Sequence, residues 1–534
     1  MKLLDIRQRA FKADEITYLD RKSILLDRML LKLFEMLRYD GRPVTRSRRR
    51  IITVPALVEL MQKAPERFSG FDQRPEIARA WIINDLFEVR NPGKEESETV
   101  IGPRPFHLNA FKLANTKAAD DFGASMQVWA MLYYADRPLL QQLKNFFGRG
   151  LDQNLDRYDG STQLDLETLA VLGMVDQVTV HPLSTPSPDP IRPLCLGQGR
   201  LMADDLRKLL AYEDAVPRHV LADYMRTILG LHLSLYMLRL FRLVPDWVAR
   251  AQRGEPHLPC PVDEGTDQSM QSCPHYFEIV VDLTEDSSSP MAALSKASAA
   301  SHLAGISTYV RAVIMLNRVK EFAVGKVARG NLPATRTVHD LLSVIRNPPP
   351  DMDGFFATRI NDVLTDDPEE EEDPVVKSIL TLTSLSPLEQ YVELVCLQRM
   401  KEERKRLVSS LLDSIAQKNK PGGFLKQAAG ARSPRWFVLG SNLLETLVQI
   451  AVLDREGGKI VSRNLLIDDF LEWLRTRYGF VIYAPAHRQV LPEEQGIWRM
   501  NELALRERLH QIGFFTDLSD AFNSQTLRPR YAVR

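Results

Sequence analysis

The stretch "TILGLHLSLYMLRLFRLV", Thr227 to Val244, is the most apolar in the chain, and its reading decides the class of the fold. His232, Arg239 and Arg242 interrupt it, and it falls short of the about 20 clean apolar residues that a membrane-spanning helix needs. We read it as a buried core helix, the middle of a longer one from about Leu221 to Val248. No membrane partner is expected.

Outward from that stretch, helical periodicity dominates. "YLDRKSILLDRMLLKLFEMLRYDG" places Leu25, Leu26, Met29, Leu30, Leu33 and Met36 at three- and four-residue spacings, with Gly41 as a C-terminal breaker. "PEIARAWIINDLFEV" and "LDLETLAVLGMV" repeat the pattern, whereas strand-like alternation is scarce. The best strand is "YFEIVVDL", followed by a helix from about Met291 to Val327 whose start, "DSSSPMAAL", offers serine caps and a first-turn proline. The expected class is mainly α, a multidomain helical protein with a small α/β element near residues 276–300.

At 534 residues and 60.8 kDa the chain is too long for one core and predicts roughly three or four domains. The proline-rich "HPLSTPSPDPIRP" (181–193) and the acidic "TDDPEEEEDP" (365–374) read as surface connections. They divide the chain into an N-terminal helical domain (1–180), a central helical domain (194–364), a helical connector (375–430) and a C-terminal module (434–534). In the last, "GSNLLETLVQIAVLD", "SRNLLIDDFLEWLRTRYGF" and "NELALRERLHQIGFF" read as three helices, the turn "REGG" follows the first, and "TLRPRYAVR" reads as an extended tail. That series resembles a winged-helix domain.

Lysine plus arginine equal aspartate plus glutamate at 69 each, so no global field draws the chain to nucleic acid or a lipid surface. Polyanion binding must come from local patches. Four cysteines (Cys195, Cys260, Cys273, Cys396) make no disulfide framework, which fits a reducing compartment. "MKLLDIRQRAFKADEITYLDRK" lacks an apolar core of signal-peptide length, and a cytoplasmic location is expected.

Three features carry chemistry. In "HLPCPVDEGTDQSMQSCPH", His257, Cys260, Cys273 and His275 are the ligand types zinc prefers, although the Cys-x-His spacing of the second pair is tight. The favoured reading is a loop with two reduced cysteines and no cofactor; structural zinc and a regulatory disulfide are the alternatives. In "FEIVVDLTEDSSSP", Asp282 and Asp286 stand between a strand and a helix start, where carboxylates can hold magnesium or face phosphate; a serine-capped turn is the plainer reading. Among the basic runs, "RPVTRSRRR" places Arg46, Arg48, Arg49 and Arg50 in a loop able to contact several phosphates, or an acidic protein. A second patch, Lys418, Lys420, Arg432 and Arg435, precedes the C-terminal module. P-loop, dinucleotide, zinc-protease and serine-hydrolase motifs are absent from the sequence.

With "DLRKLLAYEDAVPRHVLADYMRTILGLHLSLYMLRLF" and the ending "IDDFLEWLRTRYGF…LRERLHQIGFFTDLSDAFNSQTLRPRY", the chain resembles accessory proteins of bacterial multigene anti-phage operons. The nearest likeness is to methylation-associated defence systems, the next to phosphorothioation-dependent restriction. The resemblance lies in overall texture and transfers no functional residue. It implies a role in a defence complex, beside separate proteins for DNA modification, sensing and attack. The expected function is a non-catalytic component binding other proteins of the system and DNA. The alternatives are a metal-dependent nuclease or phosphatase centred on Asp282 and Asp286, and a zinc-stapled scaffold.

Overall fold

Three helices, α1 (Leu26–Arg38), α2 (Leu196–Leu210) and α3 (Arg218–Gln252), form the centre of the protein. The computed structural model describes residues 11–533 apart from 43, 47–51, 72, 95–97, 105–106, 116–117, 153–155, 176–179, 184–188, 329, 331–335, 367–372, 431, 485–490 and 515–525. The protein is mainly helical, as the periodicity predicts. The opening stretch sits within α3, a single helix of 35 residues. By length and composition α3 and the 290–327 segment could each cross a membrane, but 94% of α3's apolar window is buried inside the protein. Most buried apolar side chains form one cluster running from Phe11 to Leu527, with two small ones beside it around Met291 and Trp436.

Close approaches explain two special residues on this axis. Gly230 of α3 has no room for a side chain: a Cβ there would stand 2.7 Å from Leu26 Cδ1 and 2.8 Å from the Ile415 carbonyl. Pro245, also in α3, has no N–H to donate to the Phe241 carbonyl four residues back. Gly305 packs against that carbonyl, at the junction of α4 (Pro290–Ala304) and α5 (Ile306–Val327). The helix expected over Met291–Val327 is therefore two helices. Helix α5 then packs along α6 (Pro387–Lys405), whose start carries a Ser386/Glu389 capping box.

Some helical patterns end early. "PEIARAWIINDLFEV" is helical only over Pro75–Trp81, passes through a π turn and becomes the strand Phe87–Arg90, paired with Thr99–Pro103. Upstream, β1 (Val44–Arg46) pairs with β2 (Val180–Pro182), tying the start of the arginine loop to the segment after the helix Leu166–Val175.

The α/β element near 276–300 exists, but its strand is short and its partners are distant. Only β3 (Ile279–Val280) forms a ladder, with an added bridge from Asp282 to Val438. Farther along lie the antiparallel pair β4 (Leu425–Gln427) and β5 (Arg435–Phe437), helix α7 (Ser441–Ala451) and the hairpin β6 (Leu453–Glu456) and β7 (Lys459–Ser462). Then come β8 (Leu465–Leu466), α8 (Ile467–Tyr478), β9 (Phe480–Val481), α9 (Pro492–Gln511) and β10 (Thr526–Leu527). Strand β9 runs parallel to β3, and the β5 region flanks it on the other side. Gly479 makes this possible: it ends α8 at φ 81°, and any Cβ would stand 2.3 Å from the Phe277 carbonyl. Its own carbonyl accepts the Ile279 N–H at 2.7 Å.

The three C-terminal helices are present as α7, α8 and α9, and so are the turn after the first and the extended tail. The hairpin β6–β7 follows α7, because Gly457 and Gly458 at φ 57° and 84° form its two-residue turn. Among the described residues no hairpin follows α9. The extended tail instead returns antiparallel onto β8 and reaches Ser462 through Val533.

Asn501 of α9 is the rivet of the α/β element. Its Oδ1 accepts the Leu283 N–H at 2.8 Å, while its Nδ2 donates to the Val281 and Ile482 carbonyls at 2.9 Å each. All three backbone groups lie away from water, so Asn501→Ala should cost about 2–4 kcal/mol, read as a lower midpoint in urea unfolding. An unchanged midpoint would show that water or a neighbour replaces the amide.

Candidate functional site

The Cys/His loop does not converge on one point. His257 packs at a tilt against other rings, 5.0 Å from Trp247 and 4.6 Å from His339 between centroids. His275 Nε2 is buried and lies 3.9 Å from Asp246 Oδ2. Cys260 and Cys273 are free thiols, the first half-buried and the second buried. Among the described residues no three His, Cys, Asp or Glu side chains are grouped to hold a metal ion.

Asp282 and Asp286 are also separated by their surroundings. Asp282 is fully buried; its Oδ1 accepts the Thr284 N–H at 2.9 Å and hydroxyl at 2.7 Å, and Oδ2 has no hydrogen bond. Burial pushes this carboxyl above the usual range. Asp286 is exposed, accepts from Ser288 N–H and Oγ, and is held below the usual range by those bonds. Ser289 caps α4 through the Ala292 N–H at 3.0 Å. Between the two acids, Glu285 pairs with Lys426 at 2.6 Å and Arg508 at 3.0 Å.

The basic patches divide. Arg46 ends β1, and Arg48, Arg49 and Arg50 lie outside the described residues. Lys418 and Arg435 both turn inward onto Asp413: Lys418 Nζ reaches Oδ2 at 2.6 Å, and Arg435 grips the carboxylate from two nitrogens at 2.7 and 2.8 Å. Lys420 and Arg432 remain exposed. Half of the second patch therefore builds the fold rather than a phosphate surface.

The most elaborate charged constellation carries no sequence motif. Asp205 of α2 is fully buried and accepts from His232 Nε2 at 2.9 Å, Tyr478 Oη at 2.6 Å and Arg477 Nε at 3.0 Å. On the far side of the imidazole, Gln198 Nε2 lies 2.7 Å from His232 Nδ1, and Arg239 Nε donates to Gln198 Oε1 at 3.0 Å. The geometry assigns the imidazole its tautomer, with Nε2 donating to the carboxylate and Nδ1 accepting from the amide. Burial opposes charge on Asp205, but Arg477, then His232 and Tyr478, win and hold it at about 2. Burial lowers His232 below the usual imidazole range, against the pull of the Asp205 carboxylate. The His–Asp pair is fully buried in the core. Only His232 and Arg239, as interruptions of an apolar helix, hinted at it in the sequence.

One open cavity, of about 770 Å³, lies among the helix Leu166–Val175, the strand pair Leu151–Asp152 and Arg157–Tyr158, and residues 67–81. Phe71 and Trp81 stack along it, ring centroids 5.4 Å apart and 9° from parallel. Phe68, Tyr158 and Arg157 add to its wall, and Leu166 is 66% exposed at its edge.

A family model described as "Methylation-associated defense system protein MAD7" matches residues 6–531. The chain belongs to the MAD7 family. It is thus a component of a methylation-associated defence system, with a role in anti-phage defence and other proteins of that system as partners. No curated protein and no solved structure matches it.

Within this MAD7-family chain, Asp205 stitches α2, α3 and α8 together, and its removal should be felt throughout. Asp205→Asn leaves Arg477 and His232 with a neutral partner and should cost about 3–5 kcal/mol; Tyr478→Phe, losing one donor, should cost about 1 kcal/mol. The pH dependence follows from the depressed carboxyl: its contribution is complete above the ordinary value of 3.8 and disappears as pH falls through about 2. Urea midpoints measured from pH 5 to pH 2 should therefore fall less steeply in Asp205→Asn than in the parent. Parallel curves would place the acid sensitivity elsewhere.

Proposed function

We propose that this protein is a non-catalytic, cytoplasmic subunit of its defence system that docks a partner protein and engages DNA through its arginine loop. The observation that carries the protein-binding half is the cavity beside Leu166. A cavity walled by Phe68, Phe71, Trp81 and Tyr158 is concave enough to take an apolar side chain of a partner protein. Its stacked Phe71–Trp81 pair offers the rigid aromatic contact on which interfaces concentrate their energy.

The DNA-binding half rests on Arg46, Arg48, Arg49 and Arg50. Four arginines within five residues suit phosphates, and β1–β2 pairing holds the start of the loop against the segment that follows the cavity's helical wall. Lys420 and Arg432 extend the basic surface, whereas Lys418 and Arg435 act through Asp413.

Leu166→Asp should abolish co-purification with the other proteins of the system while leaving the unfolding midpoint unchanged. Retained co-purification would move the docking surface elsewhere. Replacing Arg46, Arg48, Arg49 and Arg50 by glutamine should weaken DNA binding and reduce the slope of log affinity against log salt by roughly 3–4. An unchanged slope would remove the loop from the reading. Asp282→Asn should leave phage protection intact; a magnesium-dependent turnover lost in that variant would instead make the protein an enzyme.

A further inference from the structure

The first turn of the helix Leu166–Val175 is a partition between two openings. Leu166 walls the aromatic cavity, whereas its chain neighbours Asp165 and Glu167 line a second cavity, of about 430 Å³. The π turn Ile82–Leu86 divides the same two spaces: Trp81, just before it, lines the first, and Asp85, within it, lines the second. One helical turn before Trp81, Ile77 is 49% exposed and adds to the apolar rim that Leu166 begins.

The second cavity differs in character. Its walls include α1 and α3, and around it five carboxylates stand against two guanidiniums and His219. Arg226 is spent within the protein: Nη1 donates to Asp27 at 2.8 Å and Nη2 to Asp223. Arg104 donates from Nε and Nη2 to the Asp85 and Asn84 carbonyls, at 2.9 and 3.0 Å. Asp165 accepts the Thr168 N–H at 2.8 Å, which caps the helix. Among the described residues Asp85, Asp165 and Glu167 form no ion pair, so three carboxylates face this opening with their charge unmatched. The wall of the aromatic cavity is by contrast balanced, Arg67 and Arg157 against Asp152 and Asp159.

We propose that the docking surface at Leu166, on whose reading this inference rests, takes an extended basic segment of a partner protein. An apolar side chain of that segment fills the aromatic cavity, and a lysine or arginine close to it in sequence enters the acidic one.

A ring-walled cavity by itself suits a nucleobase as well as a side chain. The carboxylates beside it decide between them: they repel the phosphates that accompany a base and attract a cation. Among the described residues no three ligand side chains are grouped to hold a metal ion, so the negative charge is spread as an organic cation needs it. In an extended chain, residues i and i+2 face the same way about 7 Å apart, a spacing that lets neighbours enter two adjoining openings. The apolar anchor supplies most of the affinity, and the carboxylates set the sign of the partner and its sensitivity to salt.

The test presents the full chain to a cell-displayed library of random peptides. Enriched peptides should carry Lys or Arg two residues from Leu, Met, Phe or Trp. The best of them, synthesised with a fluorophore, is then titrated by anisotropy. Leu166→Asn removes the apolar rim without adding charge and should weaken binding about tenfold, with the salt dependence kept. Asp85→Lys combined with Glu167→Lys should weaken it by about the same factor and flatten the salt dependence. All three positions lie at the surface, and the unfolding midpoints should match the parent. A peptide lost in Leu166→Asn but held, salt dependence included, by the lysine variant would keep the docking surface and overturn the basic partner. Binding indifferent to Leu166→Asn would remove the cavity itself, and the docking reading with it. Enrichment of acidic peptides, or of none, would also overturn the proposal. So would a labelled single-stranded oligonucleotide whose affinity falls in Leu166→Asn and rises in the lysine variant, which would make the cavity a nucleobase pocket.

Discussion

The carboxylate of Asp205 is the constraint on which the centre of the protein depends. It lies where α2, α3 and α8 meet, and each helix supplies something it needs or something that needs it. Such a group cannot be tolerated half-satisfied: a charge taken out of water must be paired and hydrogen-bonded, or the core opens to hydrate it. Arg477 brings the charge and Tyr478 a second donor, both from the last turn of α8. His232 passes the influence on through Gln198 to Arg239, so a line of polar groups runs through an otherwise apolar interior.

That line ends at Arg239, whose guanidinium stands over the Phe277 ring just past the Cys/His loop. The loop's two histidines serve different neighbours, Trp247 and His339 for one and Asp246 for the other. A few residues on, the chain enters the small α/β element, where Asn501 and Gly479 hold β3 against the C-terminal helices. The middle and the end of the chain are thus joined twice, once by charge and once by backbone hydrogen bonds.

For a MAD7-family component this rigidity suits a subunit that presents surfaces. The core polar groups are occupied in holding helices together, and the features left facing outward are an aromatic cavity and local basic residues. On the reading proposed above, a docked protein would add its apolar surface to the cavity near Leu166, and DNA phosphates would meet the arginines.

Periodicity and composition were enough to determine a mainly helical protein, the buried course of α3, the three C-terminal helices and the turn at Gly457–Gly458, because spacing and turn chemistry are local properties. The family likeness was legible in the same texture. The tertiary structure alone decided that "YFEIVVDL" contributes only a two-residue ladder, since a strand's length depends on partners that lie near 437 and 480. It alone showed that Lys418 and Arg435 face Asp413, and that Asp205, His232, Gln198, Arg239 and Tyr478 share one network. Charge pairing across long sequence separations leaves no period to read: the meaning of an arginine in an apolar helix is set by what the rest of the chain brings to it.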